Sequence, residues 1–209
     1  MMKLDKLYLI SGIFIFLGLF CFFGCRSSTL PSAFYTLAPM AEITQPDAYA
    51  SLPDITIGVG PVKLPEYLNR PQIVTRSGPH RIDLSEFNRW GGLLDQDILK
   101  VMFENLSVFF PKNRILQFPW GADIRPDYRI SIDIRQFDGK TGGAVKLKAI
   151  WTLRNNQKEE NTILTRQSII EQPVTGTGYE GLVAALSQSL AELSKEIVLE
   201  IQFIENDAE

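Results

Sequence analysis

The chain has 209 residues, enough for one domain with its own core or at most two small ones, and it is 45% hydrophobic and 22% charged. Its net charge of −3 argues against nucleic acid as the main partner, because neutralising phosphates requires a basic face. One His and two Cys nearly exclude a zinc site and allow at most one disulfide.

The first 24 residues are predicted to be a lipoprotein signal peptide. Two lysines precede the uncharged apolar run 7–23, which is the layout of a secretory signal. As a helix this run would reach about 25 Å at about 1.5 Å per residue, slightly short of a hydrocarbon core of about 30 Å. Gly24 precedes Cys25 as in a bacterial lipobox, so Cys25 is the predicted lipidation site and the predicted mature N-terminus. An uncleaved signal anchor is the alternative.

Residues 25–53 are predicted to be the lipidated cysteine followed by a flexible tether. This stretch contains four prolines among Ser, Thr and Ala residues, a composition typical of linkers. Within it, residues 33–37 are apolar enough for a short strand. The folded domain is predicted to occupy residues 54–209 as a single unit, because no internal repeat or low-complexity segment divides it.

The domain is predicted to begin with strands. Ile55, Ile57 and Val59 alternate with polar or small residues, which predicts a strand that runs into Pro61. Residues 72–76 and 81–84 flank a Ser-Gly-Pro-His turn and predict a hairpin.

Three further strands are predicted in the second half of the domain. Residues 128–135 alternate apolar and polar side chains, so this strand should have one buried and one solvated face. A turn at 138–143 leads to a partner strand over 145–153, whose odd-numbered residues should point inward. Residues 162–171 predict the third strand.

Two segments have the apolar period of a helix. In residues 88–110 the apolar side chains recur on one face, beginning with Trp90. Residues 179–204 predict a longer helix with Thr177 and Glu180 as a capping-box pair. The predicted fold class is therefore α/β: a single-domain α/β sandwich with a mixed, largely antiparallel sheet and two long amphipathic helices.

A glycine motif precedes the second helix. Residues 176–181 read G-x-G-x-x-G between a strand and a helix, where a dinucleotide fingerprint would lie. That fingerprint needs a following strand to supply an acid for the ribose, whereas here the helix is predicted to run almost to Glu209. Glu180 would also place a negative charge where a pyrophosphate must bind. A glycine-rich turn before a capped helix is the preferred interpretation.

No catalytic or metal-binding set is predicted. His80 at the hairpin tip has no second His or free Cys to form a metal site, and Ser77-Gly78-Pro79 is not a nucleophile elbow. Asp95 and Asp97 lie about 200° apart on a helix, so they cannot act as a carboxylate pair. The sequence therefore predicts no enzyme, no cofactor and no metal.

The most informative segment is residues 58–76, within which residues 61–71 are the first candidate for a binding surface. It is apolar and contains three prolines, so its backbone should be extended with few donors free for a sheet. Leu64, Tyr67 and Leu68 could form an exposed anchor of the kind that dominates protein interfaces. The alternative is that they cover the domain's own core.

Four stretches together match the pattern of one known family. They are Phe34-Tyr35-Thr36-Leu37, Ile57 to Val62 (IGVGPV), Leu64 to Val74 (LPEYLNRPQIV) and Arg89-Trp90. On these stretches the chain resembles the ABC-type transport auxiliary lipoproteins. The resemblance covers essentially the whole predicted mature chain, and the long central run is its most specific part.

The resemblance implies a non-enzymatic component of an envelope lipid-transport system. Such lipoproteins work with inner-membrane transporter subunits and with tube-forming MCE (mammalian cell entry) proteins that cross the periplasm. This chain would dock the distal end of such a tube at the outer membrane, facing the periplasm. Arg26, rather than Asp, follows Cys25, which agrees with sorting to the outer membrane.

The expected contact surface for this partner is the 61–71 segment with the tryptophan that follows the hairpin. The residues predicted to bind the partner are Leu64, Pro65, Tyr67, Leu68, Arg70 and Trp90. The competing hypothesis is a lipoprotein that carries acyl chains in a cavity of its own. The sequence leaves the oligomeric state open, a homo-oligomer included, and it does not identify the transported lipid.

Overall fold

The computed structural model describes residues 31–40, 54–111, 114–156 and 162–206. The predicted signal peptide, Cys25 and most of the predicted tether lie outside the described residues. In the described residues the elements are, in chain order, β1 (Ala33–Tyr35), β2 (Thr56–Lys63), a single 3-10 turn (Glu66–Leu68), β3 (Gln72–Gly78), β4 (Arg81–Trp90), α1 (Leu94–Phe109), β5 (Arg114–Gln117), β6 (Tyr128–Gly139), β7 (Ala144–Asn155), β8 (Thr162–Pro173) and α2 (Gly178–Asn206).

The larger of two sheets has five strands in the order β5-β2-β6-β7-β8. β2 runs parallel to both of its neighbours, whereas β6, β7 and β8 form a long antiparallel meander. The alternation predicted for residues 128–135 is present, because Tyr128, Ile130, Ile132 and Ile134 are all buried. The predicted α/β class with a mixed, largely antiparallel sheet is confirmed.

The smaller sheet has three strands in the order β1-β4-β3. β4 forms a hairpin with β3, as predicted, and its last residues pair in parallel with β1, where Tyr35 lies opposite Trp90. The sequence did not indicate this second sheet, because β1 and the end of β4 are more than 50 residues apart.

The first helix begins later than predicted. Residues 88–90 were expected in a helix over 88–110, but they are the end of β4, and α1 starts at Leu94. Trp90 fits the apolar period of the helix, but its backbone belongs to β4, because its N–H donates to the Pro71 carbonyl at 2.7 Å. Gly91 and Gly92, which favour helix least after proline, then separate the strand from the helix.

The two helices pack on each other and on one face of the five-stranded sheet. α1 lies over β2 and β5, and α2 lies over β7 and β8. Because both helices bury an apolar stripe against the buried face of the meander, the core between these layers is made of large side chains such as Phe109, Tyr128 and Phe137, each at most 1% exposed. The opposite face of the larger sheet therefore has no helix on it in the described residues.

The end of β6 differs from the sequence prediction, and one strand was not predicted. β6 continues to Gly139, so Asp138 lies in a strand and not in the predicted turn. β5 was not predicted, because four residues flanked by loops carry too little alternation to be recognised.

Candidate partner-binding site

The 61–71 segment is held at both ends by backbone hydrogen bonds. It leaves β2 at Lys63 and makes one 3-10 turn, in which the Leu68 N–H donates to the Pro65 carbonyl at 3.0 Å. At its end the Pro71 carbonyl accepts the hydrogen bond from Trp90. The segment is therefore a fixed bridge from the larger sheet to the smaller one.

The six residues predicted to bind a partner lie at different depths. Leu68 and Trp90 are 2% and 5% exposed and belong to the hydrophobic core. Leu64 and Tyr67 are partly buried and pack against that core. Pro65 and Arg70 are half-buried, and the exposed residues at the turn are Glu66 and Asn69, which the sequence analysis did not single out.

A buried carboxylate anchors the underside of this segment. Asp138 is 0% exposed and accepts four hydrogen bonds. The Tyr67 hydroxyl donates to Oδ2 at 2.8 Å and the Gln136 amide to Oδ1 at 2.8 Å. The Arg76 guanidinium donates from Nε to Oδ1 at 2.9 Å and from Nη2 to Oδ2 at 2.8 Å. This bidentate pair joins β3 of the smaller sheet to β6 of the larger one.

The protonation states in this cluster are set by the same contacts. Burial alone would raise the pKa of Asp138, but the hydrogen bonds from Arg76, Gln136 and Tyr67 outweigh it and hold that pKa below its usual range. Burial, together with the hydrogen bond to Asp138, raises the pKa of Tyr67 to about 12. The carboxylate stays ionised and the phenol stays protonated, so the cluster is a structural clamp.

Removing the Tyr67 hydroxyl should weaken this clamp. We expect Tyr67→Phe to lower the free energy of unfolding by about 1.5–3 kcal/mol near neutral pH, because a hydrogen bond to a charged acceptor is lost. Since folding raises the pKa of Tyr67 from 10 to about 12, its contribution is complete below pH 10 and is lost as the pH rises through 12. Urea unfolding at several pH values should show a shallower alkaline loss of stability in Tyr67→Phe than in the parent chain. Tyr179→Phe removes a tyrosine hydroxyl outside the cluster and is the control near neutral pH, where it should lose far less stability than Tyr67→Phe.

A second candidate site is an apolar groove between residues 35–40 and α2. It has a volume of about 520 Å³, and its lining includes Tyr35, Met40, Val183 and Ala191. The near wall is held in place by backbone hydrogen bonds from residues 37–40 to side chains on the two helices, for example from the Leu37 N–H to Asp97 at 2.8 Å. This stretch lies in the predicted tether, and in the structure it packs against the helices.

The glycine motif before α2 has a steric explanation. Gly176 and Gly181 approach so closely that a Cβ on Gly181 would lie 2.4 Å from the carbonyl carbon of Gly176. Gly178 has a φ of +61°, which favours glycine. Thr177 accepts the first backbone bond of the helix, from the Gly181 N–H at 3.2 Å. These contacts agree with the interpretation as a glycine-rich turn before the helix, whereas the side-chain bonds of the predicted Thr177–Glu180 capping box are not among the described hydrogen bonds.

The remaining polar residues examined from the sequence do not form a reactive group. His80 is exposed at the tip of the β3–β4 hairpin. Asp97 accepts the hydrogen bond from Leu37, whereas Asp95 contacts only Gln96 among the hydrogen bonds described. Within residues 31–40, 54–111, 114–156 and 162–206, no three His, Cys, Asp or Glu side chains are grouped as metal ligands. No helix in those same ranges has the length and apolar character needed to cross a membrane.

Comparisons with known proteins identify a family model and relatives that match most of the chain. A family model described as the ABC-type transport auxiliary lipoprotein component matches residues 35–198. The chain is 25% identical over 178 residues to the intermembrane transport lipoprotein PqiC of Escherichia coli, an alignment that covers 83% of this chain and 90% of that protein.

Two solved structures share the fold. A crystal structure of an uncharacterized protein superposes with a TM-score of 0.67 at 23% identity and covers 82% of this chain and 99% of its own. A protein of Xanthomonas campestris superposes with a TM-score of 0.64 at 17% identity and covers 80% of this chain and 93% of its own.

Proposed function

Because the chain belongs to the family of ABC-type transport auxiliary lipoprotein components, we propose that it is a non-enzymatic subunit of an MCE-type intermembrane phospholipid transport system. The observation that carries the proposal is the family match over residues 35–198, which runs from the end of β1 through most of α2. The similarity to PqiC, an intermembrane transport lipoprotein, supports the same kind of system. In it, the chain docks the tube-forming MCE protein and cooperates with inner-membrane transporter subunits.

The anchoring part of the proposal rests on the N-terminal sequence. Residues 1–24 are removed as a signal peptide and Cys25 is acylated, so that the domain faces the periplasm from the outer membrane. The lysines before an apolar run, the Gly24-Cys25 pair and Arg26 after it support this arrangement. Acyl chains contribute about 0.8 kcal/mol per buried methylene, so several of them anchor a protein almost permanently.

The docking surface we propose is the outer side of the 61–71 bridge. Leu64 and Pro65 supply the apolar part, and Arg70 with the exposed Glu66 and Asn69 supplies the polar rim. Leu68 and Trp90 lie in the core beneath, and Tyr67 bonds Asp138, so these three give the surface its shape. A fixed bridge suits docking because little backbone entropy is lost when a partner binds.

Cross-linking from single cysteines tests the docking surface. Glu66→Cys and Asn69→Cys leave the core and the Asp138 cluster untouched, unlike a charged residue at position 67 or 68. With a short thiol-reactive photo-cross-linker on the full chain in membranes, we expect both variants to give an adduct with the MCE protein. Leu199→Cys, 58% exposed on α2, is the matched control and should give far less.

An equal adduct from Leu199→Cys, or none from the two bridge positions, would contradict this surface.

The second candidate function, a domain that carries acyl chains itself, is favoured by the apolar groove beside α2. It requires bound acyl chains in native mass spectra of the domain. Those chains should be displaced by Ala184→Phe, which fills the groove, and retained in Leu199→Phe, which lies outside it.

A further inference from the structure

The face of the five-stranded sheet that carries no helix in the described residues concentrates positive charge, although β3 and the 61–71 bridge cover its end at Asp138. We define the basic sheet face as six outward-pointing cations from β2, β6 and β7, namely Lys63, Arg129, Arg135, Lys146, Lys148 and Arg154. Three carboxylates lie on the same face: Asp133 pairs with Arg135, Glu171 pairs with Lys146, and the charge of the buried Asp138 is offset by Arg76 of β3. The face is thus net +4, although the whole chain carries −3.

Stability does not explain this arrangement. Among the described residues, the other four cations have no carboxylate within ion-pair distance. Arg129 and Arg154 are direct partners across the β6–β7 ladder, and like charges directly opposite each other destabilise a sheet. Together with Lys63 they border a groove of about 410 Å³ whose lining also includes the hydroxyls of Ser131 and Thr152 and one carboxylate, that of Asp133, which pairs with Arg135. Guanidinium, ammonium and hydroxyl groups are donors that bind phosphate oxygens.

The cations beside α2 are neutralised locally. Lys195 pairs with Glu192 on the same helix, and Arg166 of β8 pairs with Glu200 of α2. A negatively charged surface would therefore be attracted more strongly to the basic sheet face than to the helix side of the molecule.

Apolar groups among the cations indicate what kind of anionic surface the basic sheet face would bind. Ile163 and Ile169 on β8 are exposed beside the lysines and arginines of β7, and Ile150 lies in the groove itself. At the edge, Arg129 stacks on Phe118 and Trp120, with its Cζ 5.5 Å from the Trp120 ring centre. Cations mixed with aliphatic side chains and a tryptophan are typical of surfaces that meet the headgroup region of a bilayer. We propose that the basic sheet face binds the surface of a bilayer containing anionic phospholipids.

The fluorescence of Trp120 can report this contact in the full-length chain. Trp90 and Trp151 are buried, whereas Trp120 is partly exposed next to Arg129. The anchored chain is placed in vesicles of phosphatidylcholine alone or mixed equally with phosphatidylglycerol, each doped with a lipid spin-labelled near the headgroup. We expect quenching in the anionic vesicles only, and its loss in high salt because the contact is electrostatic.

Two double variants with the same change in net charge distinguish binding by the basic sheet face from an effect of net charge alone. Lys148→Gln combined with Arg154→Gln should lower the equilibrium constant for binding of this face to the anionic bilayer about fivefold per cation removed. Quenching in this double variant should then be close to that in vesicles of phosphatidylcholine alone. Lys100→Gln combined with Lys195→Gln makes the same change in net charge on the helix side and should leave quenching unchanged.

The possible results decide the proposal in either direction. Equal quenching in neutral and anionic vesicles, or an equal loss in both double variants, would overturn it. Absence of quenching in both kinds of vesicle would also overturn it and would make an acidic polypeptide the better occupant. The proposal is independent of the docking surface on the 61–71 bridge, because the cross-link from Glu66→Cys should persist in the Lys148 and Arg154 double variant.

Discussion

Replacing Arg76 with methionine is expected to lower the free energy of unfolding by about 3–5 kcal/mol, the cost of leaving a buried charge without its partner. Asp138 is fully buried and would keep only the hydrogen bonds from Tyr67 and Gln136. The aliphatic part of Arg76 is retained by methionine, so the loss reports the guanidinium and not the packing. Urea unfolding near neutral pH, followed by circular dichroism, measures the difference.

The matched control is Arg135→Met, the same substitution in an exposed pair. Arg135 and Asp133 are joined at 2.8 Å, but both are well exposed, so water screens the pair and the expected change is about 0–1 kcal/mol. The side chain of Arg76 is itself 28% exposed. The large effect is expected because its partner, Asp138, is fully buried. If the two variants lost similar stability, Asp138 would not be a clamp between the sheets.

This clamp also has a defined acid limit. Because folding lowers the pKa of Asp138, its contribution is present above the ordinary carboxyl pKa of about 4 and is lost as the pH falls through the lower, folded value. The stability of the parent chain should therefore fall in acid more steeply than that of Arg76→Met.

The sequence predicted the meander and the second helix well because their signals are local. In β7 every second side chain faces the helices, so burial and residue type alternate together over twelve residues. In β6 the same alternation holds from Tyr128 to Ile134, where a register shift interrupts it. In α2 the apolar stripe recurs over 29 residues, long enough to exclude other interpretations. A pattern of this kind does not depend on which distant segment covers it.

The features that the sequence did not predict depend on distant partners. Asp138 follows the predicted strand 128–135 and precedes several glycines, so the residue types around it suggested a turn, although it lies in β6. It is buried because Arg76 and Tyr67, 62 and 71 residues earlier in the chain, neutralise and bond it. The same holds for the basic sheet face, since its cations alternate within separate strands and become one surface only through the strand register.

The partner-binding residues were predicted from an apolar, proline-containing segment, and such a segment fits two environments. An exposed anchor and a lid over the core both require apolar side chains on an extended backbone. The structure puts Leu68 in the core and leaves Leu64 and Pro65 at its edge. Hydrophobicity alone could not separate these positions, because the depth of each depends on the three-stranded sheet beside it.

Trp90→Ala should lower the free energy of unfolding as much as Arg76→Met does, for a different reason. The side chain is 5% exposed, and its removal costs the transfer free energy of an indole and leaves a cavity, together about 3–5 kcal/mol. The backbone bond to Pro71 ties this tryptophan to the end of the 61–71 bridge. We expect urea unfolding to show the loss at neutral pH and to show a much smaller one for Trp90→Phe, which keeps most of the buried area.

Leu93→Ala is the control, since Leu93 is 66% exposed three residues later and its truncation should change stability by less than about 0.5 kcal/mol. The stability of these variants decides how a loss of cross-linking to the partner is interpreted. A Trp90→Ala chain that no longer docks would have lost the shape of the bridge, and Trp90→Phe should dock normally. If instead Trp90→Ala remained as stable as the parent and still failed to dock, Trp90 would contact the partner directly, and its burial in the free chain would have to be relieved on binding.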